Sequence, residues 1–157
     1  MQKTIIAIDA MGGDVGPEVT IRGLVQTHLE RPNAAFLLFG NEEAIQAELS
    51  QHNSLQAVCT VHHCEKEVSM DAKPSVALRQ GRKVSGMWRG VDAVKQGEAQ
   101  AFVSAGNTGA LMAMGKVVLR TLPGIERPAM AAIWPTVRGE SVVLDVGANI
   151  GGTAAHY

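Results

Sequence analysis

Aromatic residues make up only 4% of this 157-residue chain, and its formal charge is −1 at pH 7. These two scarcities argue against a nucleic-acid binder, which needs a basic face or a row of stacking platforms. Cysteine is scarce as well: Cys59 and Cys64 are too few for a disulfide framework. Long apolar runs are missing. Five uncharged residues separate Lys3 from Asp9, too few for a secretory core, and no stretch approaches membrane-spanning length. A cytoplasmic location is expected. No linker, repeat or low-complexity segment interrupts the chain, so a single domain is expected too.

What the chain has is 46% hydrophobic residues, enough for a packed core. Apolar runs of strand length alternate with segments of helical spacing, the pattern of an α/β fold with a mostly parallel sheet. Strands are expected at Thr4–Ile8, Ala35–Phe39, Ala57–His63, Ala101–Val103, Ala129–Trp134 and Ser141–Leu144. Proline at early helical positions marks starts at Pro17 and Pro74, and Asn41 with Glu42 and Glu43 caps another helix. The first helix should bury Ile21, Leu24, Val25, His28 and Leu29. A further helix is expected from about Gly86 to Gln96. In a helix from Thr108 to Leu122, the spacing of Leu111, Met112, Gly115, Val118, Leu119 and Leu122 predicts one inner stripe.

Glycine-bearing loops follow three of the strands: Asp9-Ala10-Met11-Gly12-Gly13-Asp14, Ser104-Ala105-Gly106-Asn107-Thr108-Gly109 and Asp145-Val146-Gly147-Ala148-Asn149. In one parallel sheet all three would emerge along the same edge, where such sheets bind ligands. Glycine allows close backbone approach, and a following helix offers unpaired N–H groups and the positive end of its dipole. Phosphate is the natural guest. The first loop lacks the G-x-G-x-x-G spacing, so an NAD-dependent dehydrogenase is a weak rival reading.

Arg79, Arg82, Lys83 and Arg89 form the one basic cluster, readable as a solvated helix face or as an attractor of an acidic ligand or carrier protein. Cys59, His62, His63 and Cys64 have the donor chemistry of a zinc site. Strand alternation makes them diverge, so no metal is expected.

Taken together, Ala10-Met11-Gly12-Gly13-Asp14 with Gly16-Pro17-Glu18, Lys73-Pro74-Ser75, Val103 to Met112, Leu122-Pro123-Gly124-Ile125, Arg127-Pro128-Ala129 and Leu144 to Asn149 resemble the bacterial PlsX family. These are phosphate acyltransferases that make acyl phosphate from acyl-acyl carrier protein and inorganic phosphate for phospholipid synthesis. The resemblance covers the whole chain but about half the family's usual length. Residues 1–157 are thus expected to form the N-terminal part of one α/β domain, with the C-terminal part absent. It implies a three-layer twisted sheet with helices on both faces, similar to isopropylmalate dehydrogenase and phosphate acetyltransferase folds. It also implies a homodimer, no cofactor, peripheral membrane association and a membrane glycerol-phosphate acyltransferase partner. Two positions depart from the family pattern. Ser85-Gly86-Met87-Trp88 stands where Ser-Ser-Met-Arg is usual, and Gly151 stands where aspartate is.

The chemistry needs phosphate beside a thioester carbonyl and donors for the developing oxyanion, with no covalent protein nucleophile. Asp9, Lys73 and Asn107 are the candidate catalytic residues. Gly12, Gly13, Asp14, Ser75, Ser104, Gly106, Thr108, Gly109, Asp145 and Asn149 are candidates for holding phosphate or substrate. For Asp9, Asp14 and Asp145 the competing reading is turn and cap chemistry. For Lys73 it is an exposed lysine before a proline. A catalytically incomplete fragment that retains the phosphate loops is the other alternative.

Overall fold

Four parallel strands order the first part of the chain: β1 (Thr4–Asp9), β2 (Ala34–Gly40), β3 (Cys59–His63) and β4 (Ala101–Val103), arranged β3-β2-β1-β4. The structure is a computed structural model that describes residues 3–126 and 128–147. Two compact units divide at Leu119 and Arg120. Each crossover in the first unit runs through helices: α1 (Pro17–Glu30) between β1 and β2, and α2 (Glu42–Leu49) with α3 (Asn53–Gln56) between β2 and β3. Between β3 and β4 come α4 (Pro74–Gly81) and α5 (Gly86–Lys95), and α6 (Thr108–Val118) follows β4.

Strand alternation decides which helices cover which face. Ile8 and Ala10 join Phe36 and Leu38 in a core with Ile21 and Leu24 of α1, Ile45 and Leu49 of α2 and Leu55 of α3. Residues one position over, Ala7 and Phe39, pack with Ala93 of α5 on the opposite face. Helices therefore lie on both faces of a parallel sheet. The cysteines diverge as the alternation requires, with Cys59 packed against the first core and Cys64 in the second. Among the described residues, no group of three His, Cys, Asp or Glu side chains could share a metal ion.

Local chemistry sets the helix ends. Pro17 occupies the first turn of α1 behind Gly16, whose φ of 77° suits glycine. The Asn41 side chain accepts from the Ala44 N–H to cap α2. The predicted inner positions hold for Ile21 and Leu24, whereas Leu29 is 78% exposed because it falls outside the stripe facing the sheet. α6 differs similarly. It ends at Val118, and Arg120 beyond it adopts a left-handed φ of 68°. Ala110, Met114 and Val118 are its buried line, at i, i+4 and i+8, while Leu119 and Leu122 are exposed. A third core joins that line to Ala77, Met87, Trp88 and Val91 of α4 and α5.

The second unit holds β5 (Ala131–Thr136) and β6 (Gly139–Leu144), an antiparallel pair forming its own sheet. This corrects the expectation that the loop at Asp145 leaves the same parallel sheet as the other two. Only Val137 and Arg138 separate β5 from β6, and a parallel crossover needs about a dozen residues. Strand β5 also starts two residues after the expected Ala129 and runs through Pro135 to Thr136, past the expected end at Trp134.

Candidate functional site

Parallel pairing of β1 with β4 sets Ile8 opposite Val103, so Asp9 and Ser104 leave the sheet side by side. The Ser104 Oγ donates to Asp9 Oδ2 at 2.7 Å and accepts from the Gly106 N–H at 3.0 Å. Its one proton is committed to the carboxylate.

Asp9 is only 8% exposed. Burial pushes its carboxyl above the usual carboxylate range, the Ser104 hydroxyl and the backbone at Met11 and Gly12 pull it down, and the charge of Glu67 adds to the rise. Glycines surround it. A Cβ at Gly12 would stand 2.9 Å from Asp9 Oδ2 and 2.9 Å from the Gly106 nitrogen. One at Gly106 would lie 3.4 Å from Oδ2, and one at Gly86 3.4 Å from Oδ1. The loop after β1 and the loop after β4 therefore touch through backbone, with the carboxylate between them. A buried carboxylate with a raised pKa among glycines is suited to exchanging a proton with a small ligand.

Gly86 is the site residue that sequence reasoning did not select. It follows the α5 cap Ser85, and its backbone lies against Phe39 at the end of β2. A glycine directly after a helix cap was the available signal.

Asn107 organises the second loop. Its Oδ1 caps α6 by accepting from the Ala110 N–H at 2.9 Å. Its Nδ2 donates to the carbonyls of Ser69, Met70 and Ala72 at 3.1, 2.9 and 2.8 Å. One side chain thus ties residues 69–72 to the start of α6. Thr108 and Gly109 open the helix, where N–H groups have no carbonyl a turn earlier to bond and the dipole favours an anion. A Cβ at Gly109 would come within 2.9 Å of the Pro74 ring, so the start of α4 lies against this loop.

Lys73, the cap position of α4, and Ser75 in its first turn are exposed. Gly13, with φ 93°, makes the turn beside Ala105, and Asp14 beyond it is exposed. The structure thus gathers Asp9, Gly12, Gly13, Ser104, Gly106, Asn107, Thr108 and Gly109 in one place, with Lys73 and Ser75 on the adjoining helix start. Asp145 belongs to the second unit, where its φ is 59° and its N–H donates to the Met130 carbonyl. Asn149 and Gly151 lie outside the described residues.

His62 and His63 have structural surroundings. His62 stacks on Phe39 with ring centroids 4.8 Å apart, and burial holds its pKa below the usual value. The His63 ring accepts from the Glu42 N–H.

A family model described as "Fatty acid synthesis protein" matches residues 4–156. The chain belongs to that family, PlsX. It is 61% identical over 155 residues to a protein named phosphate acyltransferase from Rhodopseudomonas palustris (strain BisB5), covering 99% of this chain and 44% of that relative. Similarity extends to proteins of the same name from Azorhizobium caulinodans, 61% identical over 95% of this chain and 42% of the relative, and Methylocella silvestris, 57% identical over 99% and 42%. The chain spans less than half the length of these curated relatives. Among the described residues, no helix is long and apolar enough to cross a membrane.

Proposed function

We propose that this chain carries the phosphate loops of a phosphate acyltransferase that makes acyl phosphate from acyl-acyl carrier protein and inorganic phosphate. The observation that carries the reading is the buried Asp9 carboxylate, held by Ser104 between two touching glycine loops at the N-terminus of α6. The reaction class is that of the relatives, which are named phosphate acyltransferase.

In this reading phosphate lies against the backbone N–H groups that open α6, with Lys73 supplying positive charge and Ser75 and Thr108 further hydrogen bonds. A phosphate oxygen attacks the thioester carbonyl, and the tetrahedral oxyanion collapses with cleavage of the C–S bond. Asp9 accepts the proton that the attacking phosphate gives up and returns it to the departing thiolate. Ser104 is a positioning residue, because its proton stays on Asp9 and its lone pair on Gly106. Asn107 positions the 69–72 segment and the helix start. Alignment of two bound reactants supplies much of the rate.

The test is incubation with acyl-acyl carrier protein and hydroxylamine, with and without phosphate. Phosphate-dependent hydroxamate supports the reading; thiol release at the same rate without phosphate contradicts it. A second reading, a fragment that binds phosphate without turnover, is favoured by the 44% coverage of the relatives. It predicts saturable phosphate binding by a folded chain that forms no hydroxamate.

A further inference from the structure

The Asp9 carboxylate ends β1 with three hydrogen-bond donors around it. The Ser104 hydroxyl donates to Oδ2 at 2.7 Å, and the Met11 and Gly12 N–H groups donate to the same carboxylate. An ionised carboxylate offers about four acceptor positions, so one is unused. Among the described residues Ser104 is the one side chain that donates to Asp9, and no lysine or arginine pairs with it. The charge that acts on it is that of Glu67, another acid.

Gly86 keeps that last position open. It brings bare backbone to the Oδ1 side: a Cβ there would lie 3.4 Å from Oδ1 and 3.0 Å from the Phe39 carbonyl oxygen, and a serine hydroxyl one bond further out would reach the carboxylate. The Gly86 N–H donates to the Lys66 carbonyl at 3.4 Å, so it does not serve Asp9. On the other side, Cβ atoms at Gly12 and Gly106 would stand 2.9 and 3.4 Å from Oδ2.

An anion at the N-terminus of α6, which the acyl-transfer reading places beside Asp9, therefore meets two demands. The helix N–H groups and dipole attract any oxyanion. Asp9 repels one whose oxygens can only accept, and accepts a hydrogen bond from one that carries a proton. Inorganic phosphate and arsenate keep a proton at neutral pH, whereas sulfate keeps none. That proton turns a clash between negative groups into a charge-assisted hydrogen bond.

We propose that the open acceptor position of Asp9, kept free by Gly86, makes this site selective for a protonated oxyanion: it takes hydrogen phosphate or its isostere arsenate and rejects sulfate. The inference deepens the acyl-transfer reading and rests on it for the place of the anion. Gly86 is a positioning residue that acts through Asp9. The hydrogen that Asp9 recognises is also the one it accepts when phosphate attacks the thioester, so recognition and chemistry use one hydrogen bond.

The experiment follows inorganic phosphate by phosphorus NMR as it binds the 157-residue chain at neutral pH, then displaces it with arsenate or sulfate at matched ionic strength. With the parent, arsenate should compete about as well as phosphate itself, and sulfate should need about tenfold more or greater. Asp9→Asn replaces the acceptor with an amide that can turn its N–H toward the anion, so sulfate should then compete almost as well as arsenate. Gly86→Ser and Gly86→Ala crowd the Phe39 carbonyl alike, but only serine fills the open acceptor. The preference for phosphate over sulfate should narrow in Gly86→Ser and persist in Gly86→Ala. Circular dichroism checks each fold, and Asp9→Asn decides the matter if neither Gly86 variant folds. Equal displacement by sulfate and arsenate in the parent, an unchanged preference in Asp9→Asn, or equal narrowing in both Gly86 variants would overturn the proposal. So would a folded parent with no saturable phosphate binding. Hydroxamate trapping separates this from the reaction itself. Full anion selectivity without hydroxamate would contradict acyl transfer and leave the selectivity standing; phosphate-dependent hydroxamate from a chain whose phosphate is freely displaced by sulfate would do the reverse.

Discussion

The Ser104 hydroxyl, 2.7 Å from Asp9 Oδ2, bridges the ends of two parallel strands and at the same time accepts the N–H of Gly106. It couples the protonation of the carboxylate to the shape of the second loop. Because this hydrogen bond lowers the Asp9 pKa against the larger effect of burial, Ser104→Ala should raise it further. The acidic limb of the turnover profile then moves to higher pH, and kcat at pH 7 falls about tenfold, equivalent to about 1.4 kcal/mol. A rate loss with no displacement of that limb would assign Ser104 a role other than positioning Asp9.

Asp9 itself should trade stability for activity. Its folded-state pKa lies above that of an ordinary aspartate, so its contribution to stability is present below the unfolded pKa and is lost as pH rises through the folded one. At neutral pH the buried charge is therefore destabilising. Asp9→Asn should melt at a higher temperature than the parent at pH 7, with the gap closing in acid, while turnover falls by about 10²- to 10⁴-fold. Thermal melts at the two pH values and hydroxamate trapping check both halves.

Packing around the carboxylate makes the glycines unequal. Gly12→Ala forces a Cβ to 2.9 Å from both Asp9 Oδ2 and the Gly106 nitrogen, a crowded position expected to cost about 1–3 kcal/mol. An added Cβ at Gly16 would meet nothing within 4 Å, so Gly16→Ala carries only the strain of φ 77° with ψ −147°, a region suited to glycine, about 1–3 kcal/mol. Phosphate affinity separates the two more sharply than denaturation does: only the Gly12 change should reduce it.

Asn107→Ala removes the α6 cap and the tether to residues 69–72 together, at an expected cost of about 1–3 kcal/mol. Asn107→Asp keeps an acceptor for the Ala110 N–H but loses the donors. The new carboxylate oxygen would face the three carbonyls that had accepted from Nδ2, so Asn107→Asp should melt no higher than Asn107→Ala and lose a comparable share of turnover. Hydrogen exchange of the 69–72 amides should rise in both.

Most of the parallel sheet could be read from the chain because alternation and punctuation agree there. Pro17 and Asn41 mark their helix starts, and the ends of β1, β2 and β4 fall within about two residues of the expected positions. The short helix α3 shows no period, since Asn53–Gln56 is barely one turn. Leu119 and Leu122 sit on a helical period that the chain abandons after Val118, so pattern alone extended α6 too far. The hairpin was the clearer omission: Val137-Arg138 before Gly139 is too short for a crossover, and that spacing was in the sequence all along. At the site, the loops could be recognised by their glycines. The pairing of Asp9 with Ser104 could not, because it depends on which strand lies beside β1, a choice that is long-range in sequence.

The most direct test of the account is a phosphorus NMR titration of inorganic phosphate with the folded chain and with Gly106→Val. The account predicts a saturable change in the phosphate signal with the parent and its loss in Gly106→Val, whose added side chain would enter the space beside Asp9 and Ser104. No saturable change with the parent, or the same change with both proteins, would contradict a phosphate site built from these loops.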